Sequence, residues 1–175
     1  MKIIAFAGSN SRQSINKQLA TYAAGLFENA QVEILDLNDF ELPLYSKERE
    51  EVLGQPQLAK DFLEKLGSAD FIVLSLAENN SNYSVAFKNI FDWCSRIEVK
   101  LFQQKPMLLM GTSPGKGGCQ YVLEIAQNSL PRYGASIKGV FSLPLFEENF
   151  DIKTGVISNV ALDNQLKEII EGISL

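Results

Sequence analysis

The chain has 175 residues, enough for one domain with a sizeable core and short for two. Apolar residues make up 46% and charged residues 21%, an ordinary balance for a globular protein, and no apolar run approaches the length of a membrane span. A net charge of −5 with no basic patch argues against nucleic acid as a partner.

There is no histidine, which removes Ser–His nucleophilic machinery and the commonest metal ligand. Cys94 and Cys119 show neither metal spacing nor a disulfide framework, so no metal site is expected. Redox or group-transfer chemistry is therefore expected to come from a cofactor or from the substrate itself. The first residues run straight into a strand, so no signal peptide is expected and the cytoplasm is the default compartment.

Ile3 to Ala7 form a continuous apolar run, too short for a buried helix and consistent with a strand covered on both faces. Gly8 ends it, and a small-polar turn of Ser9, Asn10, Ser11, Arg12, Gln13 and Ser14 precedes a helix predicted over residues 15–27. Neither the dinucleotide glycine spacing nor a P-loop is present. Hydroxyls and one Arg beside a helix N-terminus suit a phosphate; the alternative is that Ser14 caps the helix and Arg12 is solvated.

A second strand is predicted over 32–37. The loop after it carries Leu42-Pro43-Leu44-Tyr45, which either packs on its own core or presents a contact surface. Residues 47–54 read as a charged surface segment and 57–66 as a helix. A third strand is predicted over 69–76, a polar loop over 77–84 and a helix over 85–97. Phe87 and Trp93 widen that helix's apolar surface, which suggests a face buried in a neighbouring subunit as well as in its own core. A fourth strand follows over 106–110, a Gly-rich loop over 111–118, a helix over 119–130, and a fifth strand over 135–143. A long connection then leads to a last helix over 159–173. Strict strand–helix alternation predicts a single α/β domain spanning 1–175, with a doubly wound five-stranded parallel sheet in the flavodoxin-like order 2-1-3-4-5.

In that order three polar loops meet at one sheet edge. The first is suited to phosphate. The second offers Glu78, Asn79, Asn80, Ser81, Asn82 and Tyr83 to a polar chain and a ring edge. The third, Ser113-Pro114-Gly115-Lys116-Gly117-Gly118, lets a ligand approach backbone N–H groups closely. A phosphate–polyol–flat-ring molecule fits these surfaces, and FMN is one. Lys116 is either an exposed loop lysine or a contact for a nucleotide phosphate. Cys119, near a helix start, is read as a small packing residue and Cys94 as core.

These residues resemble the NADPH-dependent FMN reductase family over nearly the whole chain. Gly8-Ser9, Ser14 and Asn16 match its Gly-Ser-x-Arg-x-x-Ser-x-Asn motif, with Ser11 in the arginine place and Arg12 one residue later. Lys88-Asn89 and Asp92-Trp93 match Leu-Lys-Asn-x-x-Asp-Trp, with Phe87 for Leu. Glu78 and Asn80 match a Pro-Glu-Tyr-Asn loop in which Ala77 and Asn79 replace Pro and Tyr. Ser113-Pro114-Gly115 and Gly117-Gly118 resemble Ser-Pro-Gly…Gly-Gly, one residue shorter.

The resemblance implies a flavin-dependent reductase with NADPH or NADH as co-substrate. Its acceptor would be a small molecule: a quinone, free flavin, azo compound or metal ion. Ser9, Ser11, Arg12, Ser14 and Asn16 would hold phosphate. Glu78, Asn79, Asn80, Ser81 and Asn82 would line the polyol and ring, and Ser113, Pro114, Gly115, Lys116 and Gly117 would face the ring's polar edge. No side chain is assigned as a catalytic acid or base. A homodimer or homotetramer is implied. The alternative is an FMN-binding sensor or electron carrier without efficient NAD(P)H oxidation.

Overall fold

The computed structural model describes residues 1–173. Five strands form the main sheet: β1 (Lys2–Gly8), β2 (Gln31–Leu35), β3 (Phe71–Leu76), β6 (Pro106–Thr112) and β7 (Ser136–Leu143). Their order is β2-β1-β3-β6-β7 and every pairing is parallel. Counting only these strands, this is the expected 2-1-3-4-5 order. The central strands are apolar on both faces because helices cover both.

On one face α1 (Ile15–Gly25) and α7 (Val160–Glu171) bury Leu19, Ala23 and Leu166 against Ile3, Val73 and Met110. On the other, α3 (Gln57–Gly67), α4 (Val85–Ser95) and α5 (Gln120–Ser129) bury Phe62, Trp93 and Val122 against Phe6, Leu74 and Leu109. The strand order reverses between β1 and β3, with β2 added on one side and β3, β6 and β7 on the other, and this places a crevice at their C-terminal ends.

Three segments differ from expectation. Residues 47–53 form α2 (Lys47–Leu53), started by Ser46, whose hydroxyl accepts from Arg49 N; it buries no residue, so no apolar periodicity announced it. The polar loop after β3 contains a hairpin, β4 (Glu78–Asn79) and β5 (Asn82–Tyr83). Asn80 and Ser81 supply the two positive-φ positions of its turn. The connection after β7 holds α6 (Phe146–Asn149) and a second hairpin, β8 (Phe150–Asp151) with β9 (Val156–Ile157).

Phe87 and Trp93 are 2% and 1% exposed within the chain's own core. The own-core part of the expectation holds, and the part that placed these two side chains against another subunit is corrected, since the chain's own residues already cover them. Residues 42–45 lie over α4 and close it off: Asn89 and Trp93 bind their backbone, and Leu42 and Tyr45 pack on the core. Leu44, at 60% exposure, is the part of that loop left facing outward.

Candidate mononucleotide site

The three loops after β1, β3 and β6 line one cavity of about 290 Å³, with Ser9, Ser11, Ser14, Glu78, Asn79 and Ser113 among its walls. Their convergence follows from the strand order.

The first loop is shaped by short polar contacts. Ser9 Oγ accepts from Ser11 N (3.2 Å), and Ser14 N donates to Ser11 O (3.1 Å). Ser14 Oγ accepts from Lys17 N (3.1 Å), so Ser14 is the α1 cap while it also lines the cavity. Lys17 Nζ is committed to Asp36, 2.5 Å away. Burial pulls the Asp36 carboxyl upward, but the Lys17 ammonium and the Asn38 amides outweigh it and hold it below the usual range. Arg12 has no ion-pair partner among the described residues. It lies beside the cavity, on a groove of about 730 Å³ between α1 and the β8–β9 hairpin, rather than on the cavity wall.

Asn16 is 3% exposed and fully engaged. Its Oδ1 accepts from Thr112 N (3.0 Å) and Ser75 Oγ (2.7 Å), and its Nδ2 donates to Thr112 O (3.0 Å). Asn16 therefore ties α1 to β3 and β6, a tethering role within the motif that proximity in sequence did not disclose.

Glu78 lines the cavity, and its Oε2 accepts from Val122 N (2.9 Å) at the start of α5. Asn79 lines this cavity and a second one of similar volume. Asn80 and Ser81 form the exposed hairpin tip, and Asn82 Oδ1 accepts from Tyr83 N (2.8 Å); none of the three lines the cavity.

Ser113 and Pro114 line it too, whereas Gly115, Lys116 and Gly117 stand exposed beyond them. A Cβ on Gly115 or Gly117 would meet nothing within 4 Å, which leaves their backbone open to a ligand. The loop is anchored where Phe146 N donates to Ser113 O (3.1 Å) and Leu145 N to Gly115 O (3.0 Å). Gly118 is positive in φ, and a Cβ there would fall 2.2 Å from Ser142 Oγ. Cys119 follows it in the left-handed region, with Sγ donating to Thr112 O (3.0 Å); burial pushes its thiol up to about 12. It is a packing residue, as is Cys94, pushed up to about 12 by burial alone.

The second cavity, also about 290 Å³, went unread in the sequence. Asn10, Leu42, Leu44, Asn79, Val85 and Asn89 are among its walls. The apolar Leu42-Pro43-Leu44-Tyr45 run was its one signal.

The donor set suits FMN. Hydroxyls and a helix N-terminus gather at the phosphate end, small residues leave backbone accessible at the other, and the walls between are amides and a carboxylate. Fold and site together define a doubly wound α/β protein with a mononucleotide crevice at its topological switch point.

The family described as NADPH-dependent FMN reductase matches residues 1–144, and the chain belongs to it. This is a family of flavin-dependent oxidoreductases, with FMN as cofactor and a reduced nicotinamide nucleotide as co-substrate. An NAD(P)H-dependent FMN reductase of Pseudomonas aeruginosa is 29% identical over 119 residues, 67% of this chain and 63% of that protein, so the match spans less than two thirds of the relative. A 2-hydroxy-1,4-benzoquinone reductase of Burkholderia is 30% identical over 146 residues, 76% of this chain and 78% of that protein. The fold is shared with FerB, a flavoenzyme NAD(P)H:(acceptor) oxidoreductase of Paracoccus denitrificans, at TM-score 0.76 and 21% identity, covering 97% and 93% of the two chains. Among the described residues no helix is long and apolar enough to cross a membrane.

Proposed function

We propose that the chain is an NAD(P)H-dependent FMN reductase whose acceptor is a small oxidised molecule of the quinone, free flavin, azo or metal-ion kind. The observation that carries this is the single cavity lined by all three polar loops. Bound FMN would accept hydride from a reduced nicotinamide and deliver electrons to the acceptor.

The chain's own residues place and polarise. The hydroxyls of Ser9, Ser11 and Ser14 and the first amides of α1 hold the phosphate, with Arg12 supplying positive charge from the adjoining groove. Glu78 and Asn79, opposite Ser113 and Pro114, border the polyol and ring. Amides of Gly115 and Gly117 stabilise negative charge at the ring's polar edge, with Lys116 nearby. Asn80, Ser81 and Asn82 border the mouth as the hairpin tip. A homodimer or homotetramer completes the assembly.

The test is a titration with FMN and with riboflavin, followed by anaerobic mixing with NADPH or NADH. FMN should bind and riboflavin bind much more weakly, and the flavin absorbance should bleach rapidly. Failure to bind FMN overturns the reading. Binding without rapid bleaching by either nucleotide leaves a flavin-binding electron carrier or sensor in its place.

A further inference from the structure

We propose that the groove between α1 and the β8–β9 hairpin seats the adenosine end of the reduced nicotinamide dinucleotide, with Arg12 at its mouth facing the pyrophosphate. This rests on the reading that the chain oxidises NADPH or NADH.

At about 290 Å³ the mononucleotide cavity is no larger than one small ligand fills, so the far half of a dinucleotide needs a seat elsewhere. Two spaces adjoin it. The second cavity shares Asn79 with it, but its walls carry the Glu41 carboxylate and no Lys or Arg, a poor setting for phosphates. The groove shares Gln13 and Ser14 with it, measures about 730 Å³, and has Arg12 and Lys17 but no carboxylate among its walls. In a chain of net charge −5 this is a local reversal of sign. Lys17 is neutralised by Asp36, 2.5 Å away, whereas Arg12 has no ion-pair partner among the described residues and is left to receive an anion.

The groove follows the length of α1. Ser14 and Leu26, the residues that cap the two ends of this helix, both line it and are about 18 Å apart along the axis at 1.5 Å per residue. Its far end is apolar: the Tyr22 and Phe150 rings meet edge-on with centroids 6.2 Å apart, and Leu26 and Ile152 complete that part of the lining. The Tyr22 hydroxyl donates to Asp163 on α7, which fixes the ring. Aromatic faces of this kind accept a flat base. Crevice, cation and aromatic floor therefore succeed one another in the order nicotinamide, pyrophosphate and adenine take in the dinucleotide. Gly25 also lines the groove, and a Cβ there would meet nothing within 4 Å, so a large side chain can be placed in the groove without disturbing the core.

The experiment compares wild type with Gly25→Ala, Gly25→Trp and Ile152→Glu; Ile152 is exposed, so its variant keeps the fold if Gly25→Trp does not. Calorimetry follows 5′-ADP binding with and without FMN. Turnover at saturating FMN is then measured with NADH and with reduced nicotinamide mononucleotide, which lacks the adenosine half. Wild type and Gly25→Ala should bind 5′-ADP alike whether or not FMN is present, and Gly25→Trp and Ile152→Glu about tenfold more weakly. In those two variants kcat/KM for NADH should fall about tenfold, mainly through KM, while that for the mononucleotide stays unchanged. Absence of 5′-ADP binding to wild type overturns the proposal, as does an equal fall, or no fall, for the two reductants. So does 5′-ADP that FMN displaces and that Gly25→Trp binds as tightly as wild type, since it then lies in the crevice. If wild type binds no FMN the reductase reading fails by itself, while weakened 5′-ADP binding in Gly25→Trp and Ile152→Glu still supports the groove as an adenosine site. If the flavin bleaches rapidly but the groove takes no 5′-ADP, the reductase reading stands and this proposal falls.

Discussion

Asn16 and Thr112 exchange two hydrogen bonds across the sheet edge, the side chain of one pairing with the backbone N–H and carbonyl of the other, each at 3.0 Å. A side-chain amide here does what a neighbouring strand would do, and it fixes the first polar loop relative to the third. Replacing Asn16 by Ala strands Thr112 N and the Ser75 hydroxyl in a buried setting. We expect a loss of about 2–4 kcal/mol, read as a lower urea midpoint with unchanged slope. Asn16→Asp should cost at least as much, because a carboxylate oxygen would face Thr112 O. FMN affinity should fall in both.

Two glycines at the third loop should respond oppositely. A Cβ on Gly111 would lie 2.7 Å from Cys119 Cβ and 3.2 Å from Leu76 O, whereas one on Gly115 would meet nothing. Gly111→Ala should destabilise by about 1–3 kcal/mol through overpacking. Gly115→Ala should melt like wild type, so any weakening of FMN binding there reports contact with the ligand.

Glu78 separates scaffold from site. Its carboxylate accepts from Val122 N, and a Gln side-chain carbonyl does the same. Glu78→Gln should keep the melting temperature to within a few degrees, while Glu78→Ala should lose about 1 kcal/mol as a helix-start partner disappears. Equal FMN affinity in the Gln variant would show that this charge does not tune the flavin.

The buried thiols predict an alkaline weakening. Unfolded cysteines release protons near their ordinary value of 9.0, but Cys94 and Cys119 hold theirs to about 12 in the native chain. Between these limits the native state binds more protons, so stability falls as pH rises; below about 9 the thiols contribute no slope. The urea midpoint of wild type should drop more from about pH 8 to about pH 10 than that of Cys94→Ala/Cys119→Ala. Ellman's reagent should leave both thiols unmodified until the chain unfolds.

The five strands, their order and the meeting of three loops were legible because each central strand is a continuous apolar run and each loop is polar. What escaped was structure that buries little. Helix α2 has no apolar stripe, and the hairpin at 78–83 depends on the positive φ of Asn80 and Ser81, residue types equally at home in open loops. Asn16 and Glu78 line the cavity, but that each also binds a backbone amide was not legible, because polar residues in a motif look alike in sequence whether they face a ligand, a backbone group or both. Trp93 and Phe87 read partly as interface because nothing in the sequence showed that Pro43 and Tyr45 would lie against Trp93, or that the Tyr83 and Phe91 rings would pack on Phe87.

The β4–β5 hairpin pairs only with itself and takes no rung of the five-stranded sheet. Its tip can therefore lengthen, shorten or change composition from one descendant to the next while the framework beneath stays in register. Substrate preference can drift quickly on such an appendage without the fold having to be reinvented.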